Sequence, residues 1–189
     1  WASPGSNSSL NNAVLGWVRN DGNSWSEPLI ILSELMNLLD VLVTDFDENG
    51  QLDLVLCKRD ASRLARIEHI ADGNFTAPQE IISVFIGGIY AQAGDIDGDG
   101  LLDLIASNEG QGSQTDQISW WRNMGNGLFG GQQDIHVGQI TLEKFVYADF
   151  DLDGHKDIIA STYLEHPMQL LRGLGGSTFA APVPIEGTN

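Results

Sequence analysis

The chain lacks the residues that several common classes of protein depend on. It has one cysteine, Cys57, so it forms no internal disulfide, and the alternating strand context of Cys57 favours a buried thiol. Nine Lys and Arg stand against 26 Asp and Glu, for a net charge of −17. This balance argues against nucleic acid as a partner, because phosphate binding needs basic residues. No apolar run is long enough to span a bilayer.

Candidate catalytic residues are equally scarce. The four histidines are scattered, at His69, His136, His155 and His166. None stands in a recognisable triad context with Ser or Cys, and no His and Cys cluster suggests zinc. The number of Asp and Glu residues alone does not exclude a pair of carboxylates for glycoside hydrolysis. We therefore predict no catalytic residue. The chain also has no starting Met and no signal segment, which is typical of a processed or excerpted polypeptide.

What the chain does contain is one nine-residue pattern in three places, Asp-x-Asp-x-(Asp/Asn)-Gly-x-x-Asp. It occupies residues 45–53, 95–103 and 149–157. Carboxylates at positions 1, 3 and 5 of a tightly turning loop converge on one point, a backbone carbonyl at position 7 adds a ligand, and Asp at position 9 closes the shell. Gly at position 6 permits the sharp turn. Hard oxygen ligands on a flexible loop favour calcium over magnesium.

The pattern predicts three calcium sites. Their ligands are Asp45, Asp47, Asn49, Gln51 and Asp53; Asp95, Asp97, Asp99, Leu101 and Asp103; and Asp149, Asp151, Asp153, His155 and Asp157. The residue at position 7 would act through its backbone carbonyl. Crowded carboxylates repel one another unless a cation neutralises them, so calcium binding and stability should be coupled. Asn49 carries no charge, and the first site is therefore predicted to be the weakest.

The loops are predicted to join β-strands. An EF-hand needs Glu at position 12 on a following helix, but position 12 here is Leu56, Ala106 or Ala160. Short, branched, apolar segments enter and leave each loop, as in strands. The first Asp recurs after 50 and then 54 residues, which indicates a repeat architecture. Hairpins with a Gly turn and a following aromatic residue keep the same spacing. Four antiparallel strands per repeat describe a β-propeller blade.

These loops, their Asp-(Leu/Ile)-(Val/Ile) exits and the Trp-x-Arg-Asn-x-Gly hairpins resemble the FG-GAP/VCBS repeats of many secreted and surface proteins, and in related form the integrin α-chain propeller. The resemblance covers nearly the whole chain. It implies an all-β fold, a β-propeller with one calcium in each loop. The predicted units are a partial blade at 1–38, which lacks its first strand and calcium loop, and full blades at 39–87, 88–140 and 141–189. Together they make about three and three-quarter blades.

The leading functional hypothesis is a calcium-binding, extracellular, non-catalytic module for adhesion, recognition or assembly, with a protein or glycan partner. Asp-rich loops suit the millimolar calcium found outside cells. The alternatives are the propeller domain of a secreted polysaccharide lyase or hydrolase, and a lectin. In a lectin, sugars would stack on Trp17, Trp25, Trp120 or Trp121. Asn7 and Asn74 begin glycosylation sequons.

The incomplete first blade carries its own predictions. Closure of a propeller removes sheet edges that would otherwise pair with other chains. We therefore expect that the chain is part of a longer polypeptide, or that it closes against another chain through self-assembly. A four-bladed ring with one incomplete blade is the third alternative.

Overall fold

The computed structural model describes residues 2–3, 12–36, 38–58, 63–71, 73–82, 89–108, 116–138, 142–162 and 167–187. Asn7 and His166 lie outside these ranges. Within them, all regular elements are β-strands and all strand pairs are antiparallel, so the predicted all-β class is confirmed. No helix in the described ranges is long and apolar enough to cross a membrane.

The strands form four main sheets that follow one another along the chain. The first sheet contains β1 (Ala2–Ser3), β2 (Asn12–Trp17) and β3 (Leu29–Met36). The second contains β4 (Leu38–Thr44), β5 (Asp53–Lys58), β6 (Arg63–Ile67) and β9 (Gln79–Ile82), with a small hairpin of β7 (His69–Ala71) and β8 (Asn74–Phe75) before β9. The third contains β10 (Ile89–Gly94), β11 (Asp103–Asn108), β12 (Asp116–Asn123) and β13 (Phe129–Gly138). The fourth contains β14 (Leu142–Ala148), β15 (Asp157–Thr162), β16 (Gln169–Leu171) and β19 (Val183–Pro184), with a hairpin of β17 (Gly173–Gly175) and β18 (Thr178–Phe179) before β19.

Each nine-residue Asp loop connects the first two strands of a four-stranded sheet, as predicted. We call residues 45–53, 95–103 and 149–157 the first, second and third Asp loops. The strand pair that flanks each loop closes in the same register, with Thr44 opposite Asp53, Gly94 opposite Asp103 and Ala148 opposite Asp157. Positions in one repeat can therefore be matched to positions in the next.

The core lies between successive sheets. The second strands of the second and third sheets, β5 and β11, are buried along most of their length. A strand covered on both faces reads as a continuous apolar run, which is the sequence seen at Leu54–Cys57 and Leu104–Ala106. Cys57 is completely buried, as predicted, and burial raises the pKa of its thiol.

Adjacent tryptophans on β12 serve both neighbouring interfaces. Neighbouring residues on a strand point to opposite faces of the sheet. Trp121 packs in the cluster between the second and third sheets, whereas Trp120 packs in the cluster between the third and fourth. Each is only 3% exposed, so neither is available to stack on a sugar.

The phenylalanines that follow the hairpin turns pack between sheets. Phe75, Phe129 and Phe179 each lie against one of three apolar clusters. The described residues form no closed ring of sheets. The propeller, and the blade boundaries after residues 38, 87 and 140, therefore stay predictions.

Candidate metal centres

The backbone of each Asp loop curls through two residues of left-handed conformation, at positions 4 and 6. At position 4 the φ angles are 58° for Glu48, 82° for Gly98 and 61° for Leu152, and at position 6 they are 84° for Gly50, 93° for Gly100 and 91° for Gly154. Only glycine adopts this conformation without steric cost. The role predicted for the glycine at position 6 is therefore the one it has.

Backbone amides hold the carboxylates of each loop in place. The first Asp accepts a hydrogen bond on Oδ2 from the amide of the Gly at position 6, at 2.9 Å from Gly50 and 3.0 Å from both Gly100 and Gly154. The side-chain oxygen at position 5 accepts from the amide at position 7, at 2.8 Å in all three loops. Side-chain oxygens thus fold over the loop and converge, and the loop geometry repeats three times.

The last Asp of each loop ties the loop to its sheet. Asp53, Asp103 and Asp157 are at most 1% exposed. Each accepts an amide N–H from a residue at the end of the third strand or two residues beyond it, at 3.1 Å from His69, 2.8 Å from Asn123 and 2.8 Å from Gly173. Burial raises the pKa of Asp103, and the amides of Asn123 and Ile96 offset part of that rise.

Among the described residues, three groups of carboxylates have the spacing of a cation shell. One oxygen from each member lies within 4.8 Å of the others in the groups Asp45, Asp47 and Asp53; Asp95, Asp97 and Asp99; and Asp149, Asp151 and Asp157. Two oxygens on opposite sides of a calcium ion stand about 5 Å apart, since each bond is about 2.3–2.6 Å long. The donor set therefore fits calcium. Asp103 and Asp153 fall outside these groups.

Two other predicted ligands contact these groups through backbone amides: the N–H of Asn49 donates to Asp45 and Asp47, and the N–H of Asp153 donates to Asp149 and Asp151. Asn49 accepts the amide of Gln51, and the ligand roles of the carbonyls of Gln51, Leu101 and His155 stay predictions. The imidazole of His155 packs beside Gly175 of the following hairpin. This placement agrees with the expectation that position 7 presents its carbonyl rather than its side chain.

A buried arginine, which the sequence patterns did not reveal, reaches the first Asp loop. Arg66 is 8% exposed. Its Nη2 donates to Asp47 Oδ2 at 2.5 Å and to Asp53 Oδ2 at 2.6 Å, and its Nε donates to Asp53 Oδ2 at 3.0 Å. Burial alone lowers the pKa of Arg66, but the hydrogen bonds and charges of Asp47 and Asp53 outweigh it and the net pKa is raised. Arg66 thus places a permanent positive charge on two of the three clustered carboxylates.

The second and third loops have exposed arginines instead. Arg122 lies 2.8 Å from Asp97 and 3.0 Å from Asp99, and Arg172 lies 3.5 Å from Asp151. The amide of Leu101 and the guanidinium of Arg122 lower the pKa of Asp99. Both arginine side chains thus turn back from their hairpins to the Asp loops.

The repeated four-stranded sheets, with an acidic loop between the first two strands of each, define an all-β repeat protein. A family model for the FG-GAP-like repeat matches residues 45–106 and 95–160, which together span more than half of the chain. The chain belongs to the FG-GAP-like repeat family, and the resemblance inferred from its motifs is confirmed.

The chain is also similar to a solved structure from Agrocybe aegerita, a lectin with specific recognition of non-reducing terminal N-acetylglucosamine. The two are 16% identical, with a TM-score of 0.66 over 98% of this chain and 52% of that chain. This chain thus spans about half the length of the lectin, and the likeness at this identity is one of fold. No curated protein sequence matches the chain significantly.

Proposed function

We propose that the chain is a calcium-binding β-propeller module of an extracellular protein, with a role in adhesion, recognition or assembly. The observation that carries this proposal is the threefold convergence of carboxylate oxygens at the same place in successive repeats. A bound calcium at each loop would offset the repulsion among these carboxylates and so stabilise the sheet next to it. Membership of the FG-GAP-like family supports a binding role.

The propeller arrangement and the location are part of the same proposal. Among the described strands, three four-stranded sheets share one strand order and a three-stranded sheet stands before them, which supports successive blades. Short Asp-rich loops suit weak sites that millimolar extracellular calcium keeps filled. In this role the module presents a rigid acidic surface to a protein or glycan partner.

Calorimetric titration with calcium tests the metal sites directly. Three variants each remove the first Asp of one loop, as Asp45→Ala, Asp95→Ala and Asp149→Ala. We expect three sites in the unsubstituted chain, the loss of one site in each variant, and the first loop as the last to fill. Magnesium serves as the control cation. Absence of binding at millimolar calcium, or three intact sites in every variant, would contradict the proposal.

Glycan recognition is a second candidate, which one exposed aromatic side chain favours. Trp25 is 67% exposed beside the first hairpin, where its ring is open to a sugar. The likeness in fold to a sugar-recognising lectin adds support. A glycan array with and without a calcium chelator tests it, and Trp25→Ala should abolish any signal. Turnover of acidic polysaccharides in the same samples would instead support an enzyme.

A further inference from the structure

An open apolar cavity of about 530 Å³ lies between the first and second sheets. We call it the inter-sheet pocket. Its lining from the second repeat includes Val41, Val43, Leu52, Leu54, His69 and Phe75. Two of these apolar side chains are unusually accessible, with Val43 51% and Leu52 57% exposed.

In the third repeat, the matching positions enclose a loop residue. The strand registers match Val41, Val43 and Leu54 with Ala91, Ala93 and Leu104. Along the loop and hairpin, Leu52, His69 and Phe75 match Leu102, Asn123 and Phe129. All four aliphatic residues and Phe129 belong to one cluster with Phe46, which is position 2 of the first Asp loop.

Phe46 is held in that enclosure by two direct contacts. Its ring meets Phe129 edge to face at 5.2 Å between centroids. Its carbonyl accepts a hydrogen bond from Asn123 Nδ2 at 2.8 Å. As a result Phe46 is only 1% exposed. The first Asp loop is therefore anchored on the next repeat by the side chain at position 2.

The second Asp loop is anchored on the fourth repeat in the same way. Ile96, at position 2, is 7% exposed and shares a cluster with Phe145, Tyr147 and Phe179. These residues match Val41, Val43 and Phe75 of the inter-sheet pocket. Tyr147 OH also donates to the carbonyl of Asp95 at 3.3 Å. Both described pockets that follow an Asp loop are thus filled by the residue at its position 2.

We propose that the inter-sheet pocket binds a strand–loop segment, an extended peptide that ends in an acidic Asp loop with Phe or Ile at position 2. In the described ranges, no residue of the chain enters this pocket as Phe46 and Ile96 enter theirs. Among the described strands, none pairs with the outer edge of β1, which is where a first strand lies in the other sheets, so the incoming strand would add to the sheet there through backbone hydrogen bonds.

A buried polar atom of the pocket lining also suits this occupant. Trp17 lines the cavity, and its Nε1 is buried without a hydrogen-bond partner among the described residues. Loop carbonyls accept side-chain hydrogen bonds at both filled pockets, from Asn123 and from Tyr147. A carbonyl of the incoming loop would satisfy Trp17 Nε1 here.

The binding of a peptide from the chain's own fourth repeat tests the proposal. Residues 142–157 supply a strand and an Asp loop with Phe150 at position 2. The fluorescein-labelled peptide is titrated with the full chain in millimolar calcium, and anisotropy reports binding. We expect measurable affinity for the natural peptide. With Phe150→Asp in the peptide, affinity should fall at least about tenfold, which corresponds to about 1.4 kcal/mol.

Matched substitutions in the protein locate the binding. Val43→Asp places a charge in the pocket and should weaken binding by at least about tenfold. The control is Val146→Asp, on an equally exposed valine of β14 that does not line the pocket, and it should leave binding unchanged. If Val43→Asp lowers the melting temperature, Leu52→Glu in the loop provides the second pocket variant.

Three results with the peptide would overturn the proposal. They are no peptide binding up to millimolar concentration, equal binding of the Phe150→Asp peptide, and equal binding by Val43→Asp and the unsubstituted chain. A glycan that binds in place of the peptide, with the same sensitivity to Val43→Asp, would assign the pocket to a sugar and also overturn it. The Phe150→Asp and Val43→Asp variants report on apolar packing. Their effect on peptide binding is therefore distinguishable from the loss of a calcium site in the calorimetric titration.

Discussion

Replacement of Arg66 by Met is expected to destabilise the protein strongly when calcium is absent. Arg66 is 8% exposed, and Asp53 is fully buried. The guanidinium donates two hydrogen bonds to Asp53, at 3.0 and 2.6 Å, and one to Asp47, at 2.5 Å. Met fills similar space without charge. Asp53 would then keep the amide of His69, at 3.1 Å, with no cation beside it.

The loss of unfolding free energy expected for Arg66→Met follows from the burial of Arg66 and Asp53. Removal of one partner of a buried ion pair costs about 3–5 kcal/mol, because the remaining charge is left uncompensated. The side chain of Asp47 is 12% exposed and can turn toward water, so we expect the lower end of that range. A calcium ion in the first Asp loop would restore positive charge beside both carboxylates. In saturating calcium the loss should therefore fall to less than half of its value in chelator.

Urea unfolding followed by tryptophan fluorescence, in chelator and in millimolar calcium, measures both quantities. Arg122→Met is the matched control, because Arg122 also pairs with two loop carboxylates but has a side chain that is 47% exposed. Exposed ion pairs contribute little to stability, so its loss should be much smaller. Equal losses for the two variants, or a loss at Arg66 that calcium leaves unchanged, would refute a role for Arg66 as a built-in counter-charge.

Three further comparisons test the packing and the charges. Phe46→Ala should lower the free energy of unfolding by about 3–5 kcal/mol. Phe150 occupies the same loop position but is 46% exposed, so Phe150→Ala should lower it by less than about 1 kcal/mol. Equal losses in urea titrations would contradict the anchoring role of position 2. Gly125→Ala and Gly127→Ala both place alanine at positive φ, but a Cβ on Gly127 would also overlap the guanidinium of Arg66. Thermal melts should therefore show a loss of about 1 kcal/mol for Gly125→Ala and about 2–4 kcal/mol for Gly127→Ala. Asp134 accepts hydrogen bonds from Ser119 and two Gln side chains; burial alone would raise its pKa, but these bonds outweigh it and the net pKa is lowered. Its charge therefore stabilises the folded state above about pH 4 and ceases to do so as the pH falls through the lowered pKa. At pH 7, Asp134→Asn should lower the free energy of unfolding by up to about 1 kcal/mol after solvent screening, and so lower the melting temperature. In acid the melting temperatures of the two proteins should converge.

Local sequence patterns predict much of this fold because the residues of each repeat determine its loop and strands over short distances in sequence. Fixed spacing of Asp and Gly identifies the loops, and the apolar runs beside them identify the flanking strands. Trp120 and Trp121 had to point to opposite faces, and the structure buries one on each side of the third sheet. Position 2 of the loops was missed because a ligand pattern treats it as a spacer. Only the packing of Phe46 and Ile96 shows that it joins one repeat to the next.

Arg66 shows why the rest of the site could not be predicted. It stands at a strand position that other repeats fill with Trp120 or Leu170, and nothing in its neighbours marks it as different. Its partner Asp47 is 19 residues away in sequence. The burial of Arg66 depends on a contact with the turn at Gly127, which belongs to the next repeat and is distant in sequence.

The last Asp of each loop constrains how these repeats can evolve. Asp53, Asp103 and Asp157 are candidate ligands or neighbours of a cation, and each also accepts a backbone amide at the end of the third strand or two residues beyond it. Substitutions at positions 1, 3 and 5 would remove candidate cation ligands and leave this hydrogen bond in place. Loss of the ninth residue would also remove the hydrogen bond that ties the loop to its sheet. Relatives that no longer bind a cation should therefore retain this Asp, and its survival in a degenerate loop marks a former metal site.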